Sequence, residues 1–170
     1  AVGLIRAMRP GLLRFGTQAI FEDAIGPAES RSGARCGWPD WADFRFGIDD
    51  HMELLERIGA PGQALVQIGY PTALVDSTDP DSCVIDDIGS SLDQITKRAM
   101  AWVAYTNGTP ADTTVIGVDD SGRDWGTAGD WAQRRVDNGH AEPYDIRYWE
   151  FGNELFYCCD GKLTSDQYGR

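Results

Sequence analysis

Apolar residues recur at helical spacing along some segments and gather into short unbroken runs in others, and the two patterns alternate. Leu4, Ile5 and Met8 mark a helix over 1–9 that stops before the breaker pair Pro10-Gly11. Leu12-Leu13-Arg14-Phe15 reads as a short strand. A helix over 49–58 follows, with Ile48, Met52, Leu55 and Ile58 as its buried stripe. Asp49 and Asp50 stand in its first turn, Arg57 in its last and Gly59 just beyond, so the charges complement the macrodipole and the glycine supplies the C-cap. The run 64–69 is a second strand, almost wholly apolar, as strands covered on both faces tend to be. Ile95, Ala99, Trp102 and Val103 mark another helix, preceded by a polar segment from Tyr70 to about Asp93 and ending near Asn107-Gly108. A short helix over 131–137 and a third strand over 146–151 complete the series.

Helices alternating with strands imply a parallel sheet with crossover helices, hence an α/β fold. The segments after the strands (16–46 and 70–93) are long, whereas the turn before the second strand (59–62) is short. Long loops at the C-terminal ends of parallel strands are the habit of the (β/α)8 barrel, which builds its active site there. A whole barrel takes roughly 250 residues, and three strands are legible here. The expectation is that residues 1–170 form an incomplete N-terminal part of a catalytic barrel. The first helix, starting at residue 1 without a cap and with no leader peptide or initiating Met, fits an internal piece of a longer protein.

Composition narrows the partners. The 170 residues are 42% hydrophobic, enough for a real core and unlike a disordered acidic tail. A net charge of −12 and a pI of about 4.4 repel nucleic acid and anionic membranes, so neither is expected as a partner. No apolar run approaches the roughly 18 residues of a membrane helix. Such a surface suits a neutral substrate such as a sugar polymer, without pointing to one. No internal repeat or low-complexity segment is present.

The most informative stretch is Asn138 to Glu154, which ends Trp149-Glu150-Phe151-Gly152-Asn153-Glu154. It resembles the fourth-strand signature of clan A glycoside hydrolases, and most closely that of the α-L-arabinofuranosidases of glycoside hydrolase family 51. Leu13-Arg14-Phe15 is similar to that family's second-strand motif, Phe46-Gly47-Ile48-Asp49-Asp50 to the start of its second helix, and Ala101 to Gly108 to the end of its third. The likeness spans most of the chain, but only the Gly-Asn-Glu region is specific. Two departures stand out: Gly16-Thr17-Gln18 where the family has Pro-Gly-Gly, and Gln67 as the nearest amide to a third-strand Asn. The resemblance makes the three strands the second, third and fourth of the barrel.

Glycoside cleavage needs two carboxyl groups flanking the bond, one to protonate the departing oxygen. In retaining enzymes the other attacks the anomeric carbon, at roughly 5–5.5 Å from the first. The resemblance implies that Glu154 is the general acid/base, its pKa raised so that it holds a proton near neutrality. It implies that Asn153 binds the sugar 2-hydroxyl and that Arg14 orients the nucleophilic carboxylate and keeps it ionised. Arg14 has an alternative reading as a barrel salt bridge to Glu150. No second carboxylate motif follows Glu154, so the nucleophile is expected outside this chain, and the 170 residues alone are expected to be inactive. No cofactor is implied. Two other readings stay open: another clan A activity, such as a β-xylosidase or an endoglucanase, and a non-catalytic carbohydrate-binding remnant.

Other candidates carry bland readings. His140 precedes the third strand, away from the expected site, and reads as structural. Trp38, Trp41 and Phe44 would either stack on sugar rings or pin a long loop. Asp76, Asp79, Asp81, Asp86 and Asp87 match no EF-hand spacing and read as a solvated acidic surface, so no metal is expected. Cys36, Cys83, Cys158 and Cys159 lack paired C-x-x-C spacing for zinc. Disulfides among them would favour a secreted parent protein; reduced thiols in a cytosolic enzyme are the alternative.

Overall fold

The computed structural model describes residues 1–15, 22, 24–31, 46–68 and 88–151. Among these residues three strands, β1 (Leu13–Phe15), β2 (Ala64–Ile68) and β3 (Tyr148–Phe151), form one parallel sheet in sequence order. Leu13 is in register with Ala64, and Leu65 with Tyr148. Among the described residues four α-helices accompany it: α1 (Val2–Met8), α2 (Ile48–Ile58), α3 (Ile88–Asn107) and α4 (Ala128–Asp137). None of the described helices is long and apolar enough to cross a membrane.

The sheet has two unlike faces, because successive residues of a strand point to opposite sides. Phe15, Ala64 and Val66 are 6%, 1% and 0% exposed and join α2 and α3 in one core. Arg14, Tyr148 and Glu150 lie on the other face and are all more than a third exposed.

Helix α2 follows its stripe: Ile48, Met52, Leu55 and Ile58 are all buried. Its first turn is closed by Asp50, whose carboxylate accepts from the Gly47 N–H at 2.7 Å. Glycine is required at 47, since a Cβ there would stand 2.0 Å from the Ala24 carbonyl oxygen. Gly59 ends the helix in the left-handed region, at φ 78°.

Some boundaries and exposures differ from the sequence expectation by more than a residue at an end. Helix α3 starts at Ile88, not near Asp93, so it runs back over a polar stretch that lacks apolar periodicity. Val103 is 38% exposed, because Trp102 takes the core-facing position beside it. Helix α4 begins at Ala128, three residues early, behind a capping box in which Thr127 and Asp130 bond each other's backbone N–H. The third strand starts at Tyr148: the Asn107 side-chain amide bonds both the N–H and the C=O of Ile146, at 2.9 and 2.8 Å, in place of a strand partner.

Between α3 and α4 the chain makes a feature that periodicity did not reveal. Residues 115–127 fold back as a short irregular antiparallel pair, with bridges Val115 to Thr127 and Val118 to Asp124. At its turn the Asp119 carboxylate accepts from the N–H groups of Ser121 and Arg123, the Ser121 hydroxyl and the Trp125 indole.

Candidate active site

Because the strands are parallel, their C-terminal ends share one edge of the sheet. Gly152-Asn153-Glu154 continues directly from the last residue of β3. Asn153 and Glu154 lie outside the described residues, as do Trp38, Trp41, Phe44, the five aspartates of the second long loop and all four cysteines. Arg14 is the one sequence-predicted site residue among those described.

Arg14 forms a bidentate ion pair with Glu150: Nε to Oε2 at 2.6 Å and Nη2 to Oε1 at 3.2 Å. Such a fork fixes direction as well as distance. The salt bridge weighed from the sequence is therefore present, and it spans β2, which separates the two strands. With side chains 42% and 37% exposed, the pair contributes at most about 1 kcal/mol to stability.

Behind the sheet, a buried polar network ties α2 to the segments before β3. The Asp49 carboxylate, 6% exposed, accepts from the Tyr105 hydroxyl at 2.9 and 2.8 Å, the Tyr144 hydroxyl at 2.8 Å and the Gly26 N–H at 3.1 Å. Burial first, and the Asp49 charge second, push both phenols above their usual range, so they stay protonated as donors. Asp49 thus stands in the first turn of α2, as the sequence reading has it, and also anchors this network. Nearby, the fully buried Arg135 guanidinium donates to the carbonyls of Tyr105 and Gly108 at the end of α3, and of His140 and Ala141. Burial lowers its pKa. It serves as a C-cap for α3 supplied by another helix. The His140 ring packs on Tyr144 at 5.3 Å, in keeping with a structural role.

Two more clusters brace the neighbouring segments. Glu22 accepts from Arg98 at 3.1 Å and Arg123 at 2.7 Å, and the Arg123 guanidinium lies 3.7 Å over the Trp125 ring. The 115–127 segment, α3 and residue 22 are thereby joined. His51, 4% exposed, sits between Phe15 and Phe46, and its Nε2 has no hydrogen-bond partner among the described residues. Burial holds its pKa below the usual imidazole value, against a hydrogen bond with the Leu13 backbone. No group of three metal-ligating side chains occurs among the described residues. The sequence offered no signal for these networks, whose members are polar residues far apart in the chain.

Comparison with known proteins gives one consistent family. The probable α-L-arabinofuranosidase C of Aspergillus clavatus is 30% identical over 135 residues, covering 79% of this chain and 19% of that protein. An intracellular exo-α-(1→5)-L-arabinofuranosidase of Bifidobacterium longum is 29% identical over 136 residues, covering 79% and 17%. The chain thus spans less than a fifth of the length of these curated relatives. Among solved structures, the α-L-arabinofuranosidase of Thermotoga maritima in its arabinose complex superposes with a TM-score of 0.66 at 25% identity, covering 99% of this chain and 28% of that one. The family model of the α-L-arabinofuranosidase 1 domain matches residues 4–169, and the chain belongs to that family.

Proposed function

We propose that this chain is the acid/base-bearing part of a retaining glycosidase that releases α-L-arabinofuranosyl units from plant-type polysaccharide. In this reading β1, β2 and β3 are the second to fourth strands of a (β/α)8 barrel. Glu154 is the general acid/base, Asn153 binds the sugar 2-hydroxyl, Arg14 orients the attacking carboxylate, and that nucleophile lies outside these 170 residues. The observation that carries the reading is the continuation of β3 into Gly152-Asn153-Glu154 at the C-terminal edge of a parallel sheet, in a chain of the arabinofuranosidase family. Active sites of such barrels are built at that edge.

The mechanism gives the test. Protonation by Glu154 lets a poor leaving group depart, and the same residue then deprotonates the attacking water. In a full-length protein carrying this segment, Glu154→Ala should slow cleavage of sugar–sugar bonds roughly 10²–10⁴-fold. A nitrophenyl arabinofuranoside, whose leaving group needs little protonation, should still form the glycosyl-enzyme. Added azide needs no base, so it should restore turnover and yield a glycosyl azide of retained configuration. Equal losses on both leaving groups, with no azide rescue, would remove Glu154 from this role.

A further inference from the structure

Asn107-Gly108-Thr109 is the one Asn-x-Ser/Thr tripeptide in the sequence, the acceptor pattern for N-linked sugar. It closes α3, and its asparagine is already engaged. The Ile146 N–H donates to Asn107 Oδ1 at 2.9 Å, and Asn107 Nδ2 donates to the Ile146 carbonyl at 2.8 Å. Because both ends of the amide meet one residue, the hydrogen that Nδ2 donates is the one on the same side of the Cγ–Nδ2 bond as Oδ1. Ile146 is 4% exposed, and β3 begins two residues later, so this pairing seats the entry to β3.

A sugar on Nδ2 is incompatible with that pairing. In the transfer, the anomeric carbon of a nucleoside diphosphate sugar bonds to Nδ2, its bond to the diphosphate oxygen breaks, the nucleoside diphosphate leaves, and the amide gives up one proton. The product is a secondary amide. Such amides are trans, which puts the nitrogen substituent on the same side as the carbonyl oxygen. The sugar therefore takes the place of the hydrogen that the Ile146 carbonyl accepts, and the remaining hydrogen points away. Rotation to the cis form is strongly disfavoured. In the folded chain Nδ2 is held in the pairing. In a growing chain it is not, since Ile146 follows 39 positions later, roughly 2–8 s of synthesis at about 5–20 residues per second.

We propose that Asn107 is an acceptor for N-linked sugar that is open only until β3 seats, and that a glycan on Nδ2 and the native pairing with Ile146 exclude each other. This does not rest on the hydrolytic function proposed above.

The experiment presents the full-length protein carrying this segment to an N-glucosyltransferase that uses UDP-glucose and recognises Asn-x-Ser/Thr. The transferase is co-expressed, so that it meets the growing chain, or is added with UDP-glucose to the purified folded protein. Peptide mapping by mass spectrometry locates the hexose. Thr109→Ala is the control: its side chain is exposed, so the variant removes the acceptor pattern and leaves the Asn107–Ile146 pairing in place. A hexose on Asn107 is expected in the co-expressed chains, absent in Thr109→Ala and absent when the folded protein is treated. Chains that carry it should be digested by trypsin at least about tenfold faster than Thr109→Ala chains made beside them, because two hydrogen bonds and the seating of β3 are lost together. Transfer to Asn107 of the folded protein, modified chains that resist digestion as Thr109→Ala does, or no transfer to Asn107 under either condition would each overturn the proposal.

Discussion

Removing the Asp49 carboxylate should be among the most damaging single changes this fold can suffer. Asp49→Ala leaves the Tyr105 and Tyr144 hydroxyls and the Gly26 N–H without their acceptor in a region closed to water. Hydrogen bonds to a charged group contribute about 1.5–3 kcal/mol each, and orphaned buried donors cost about as much. The three are not additive, since they share one carboxylate. Tyr105 also keeps a contact, because the Asn138 amide donates to its oxygen at 3.0 Å. The expected loss is about 3–5 kcal/mol, the range for breaking a buried charged network. Asp49→Asn keeps the volume and one acceptor oxygen but turns an NH2 group toward one of the donors, and should lose about 1–3 kcal/mol. Tyr144→Phe removes one donor and leaves the others in place, for about 1–2 kcal/mol. Urea unfolding at neutral pH measures each as a shift in midpoint at unchanged m-value. The Asp49→Asn/Tyr144→Phe double variant should lose less than the sum of its parts. An Asp49→Ala variant within about 1 kcal/mol of the parent would refute the network's role, and so would strict additivity of the two milder changes.

Two further expectations concern pH. Burial depresses the His51 pKa in the folded chain, so below about pH 6.5 the unfolded chain binds the proton more readily. Stability should then fall as the pH drops from 7 toward 5, and His51→Leu should flatten that slope; an equal slope in both proteins would count against the burial argument. At Asp119 burial pushes the carboxyl up, but bonds from Ser121, Trp125 and the Arg123 and Ser121 backbone outweigh it and hold it at about 2. Its contribution is present above the ordinary aspartate pKa and is lost as the pH falls through about 2. Asp119→Asn should therefore be less stable than the parent at pH 5, with the gap closing toward pH 2; a gap that does not change with pH would argue against the assignment.

What could be read from the sequence follows from what periodicity encodes. Ile48, Met52, Leu55 and Ile58 repeat at helical spacing because they face a core, and all four are buried. The order of the strands came from the alternation of patterns, and the parallel sheet matches it. Periodicity marks an apolar face without saying what lies against it: Leu4 and Met8 of α1 are 74% and 77% exposed. The start of α4 was legible in Thr127 and Asp130, a capping-box spacing, but the apolar repeat that drew the boundary begins only at Trp131. The Asp49 network was not legible at all, because Tyr105 and Tyr144 stand 56 and 95 positions away and nothing local marks their convergence. At the candidate site, Glu154 and Asn153 are proposed from a motif and Arg14 from a shorter one. The Arg14–Glu150 pair was one of two readings that a sequence cannot choose between, since the choice depends on register across an intervening strand.

The register of the sheet also governs how the chain assembles as it is synthesised. Leu13 can pair with β2 only after Ala64 is made, and Leu65 can pair with β3 only after Tyr148. Pairings of such long sequence separation close slowly. At about 5–20 residues per second, the outer edge of β2 emerges roughly 4–16 s before the strand that covers it. For that interval an apolar strand offers unpaired N–H and C=O groups to any neighbouring chain. The segment that finally closes this edge, β3, is the one that runs on into Asn153 and Glu154. A nascent chain therefore cannot acquire the candidate acid before it has synthesised the strand that protects its own sheet.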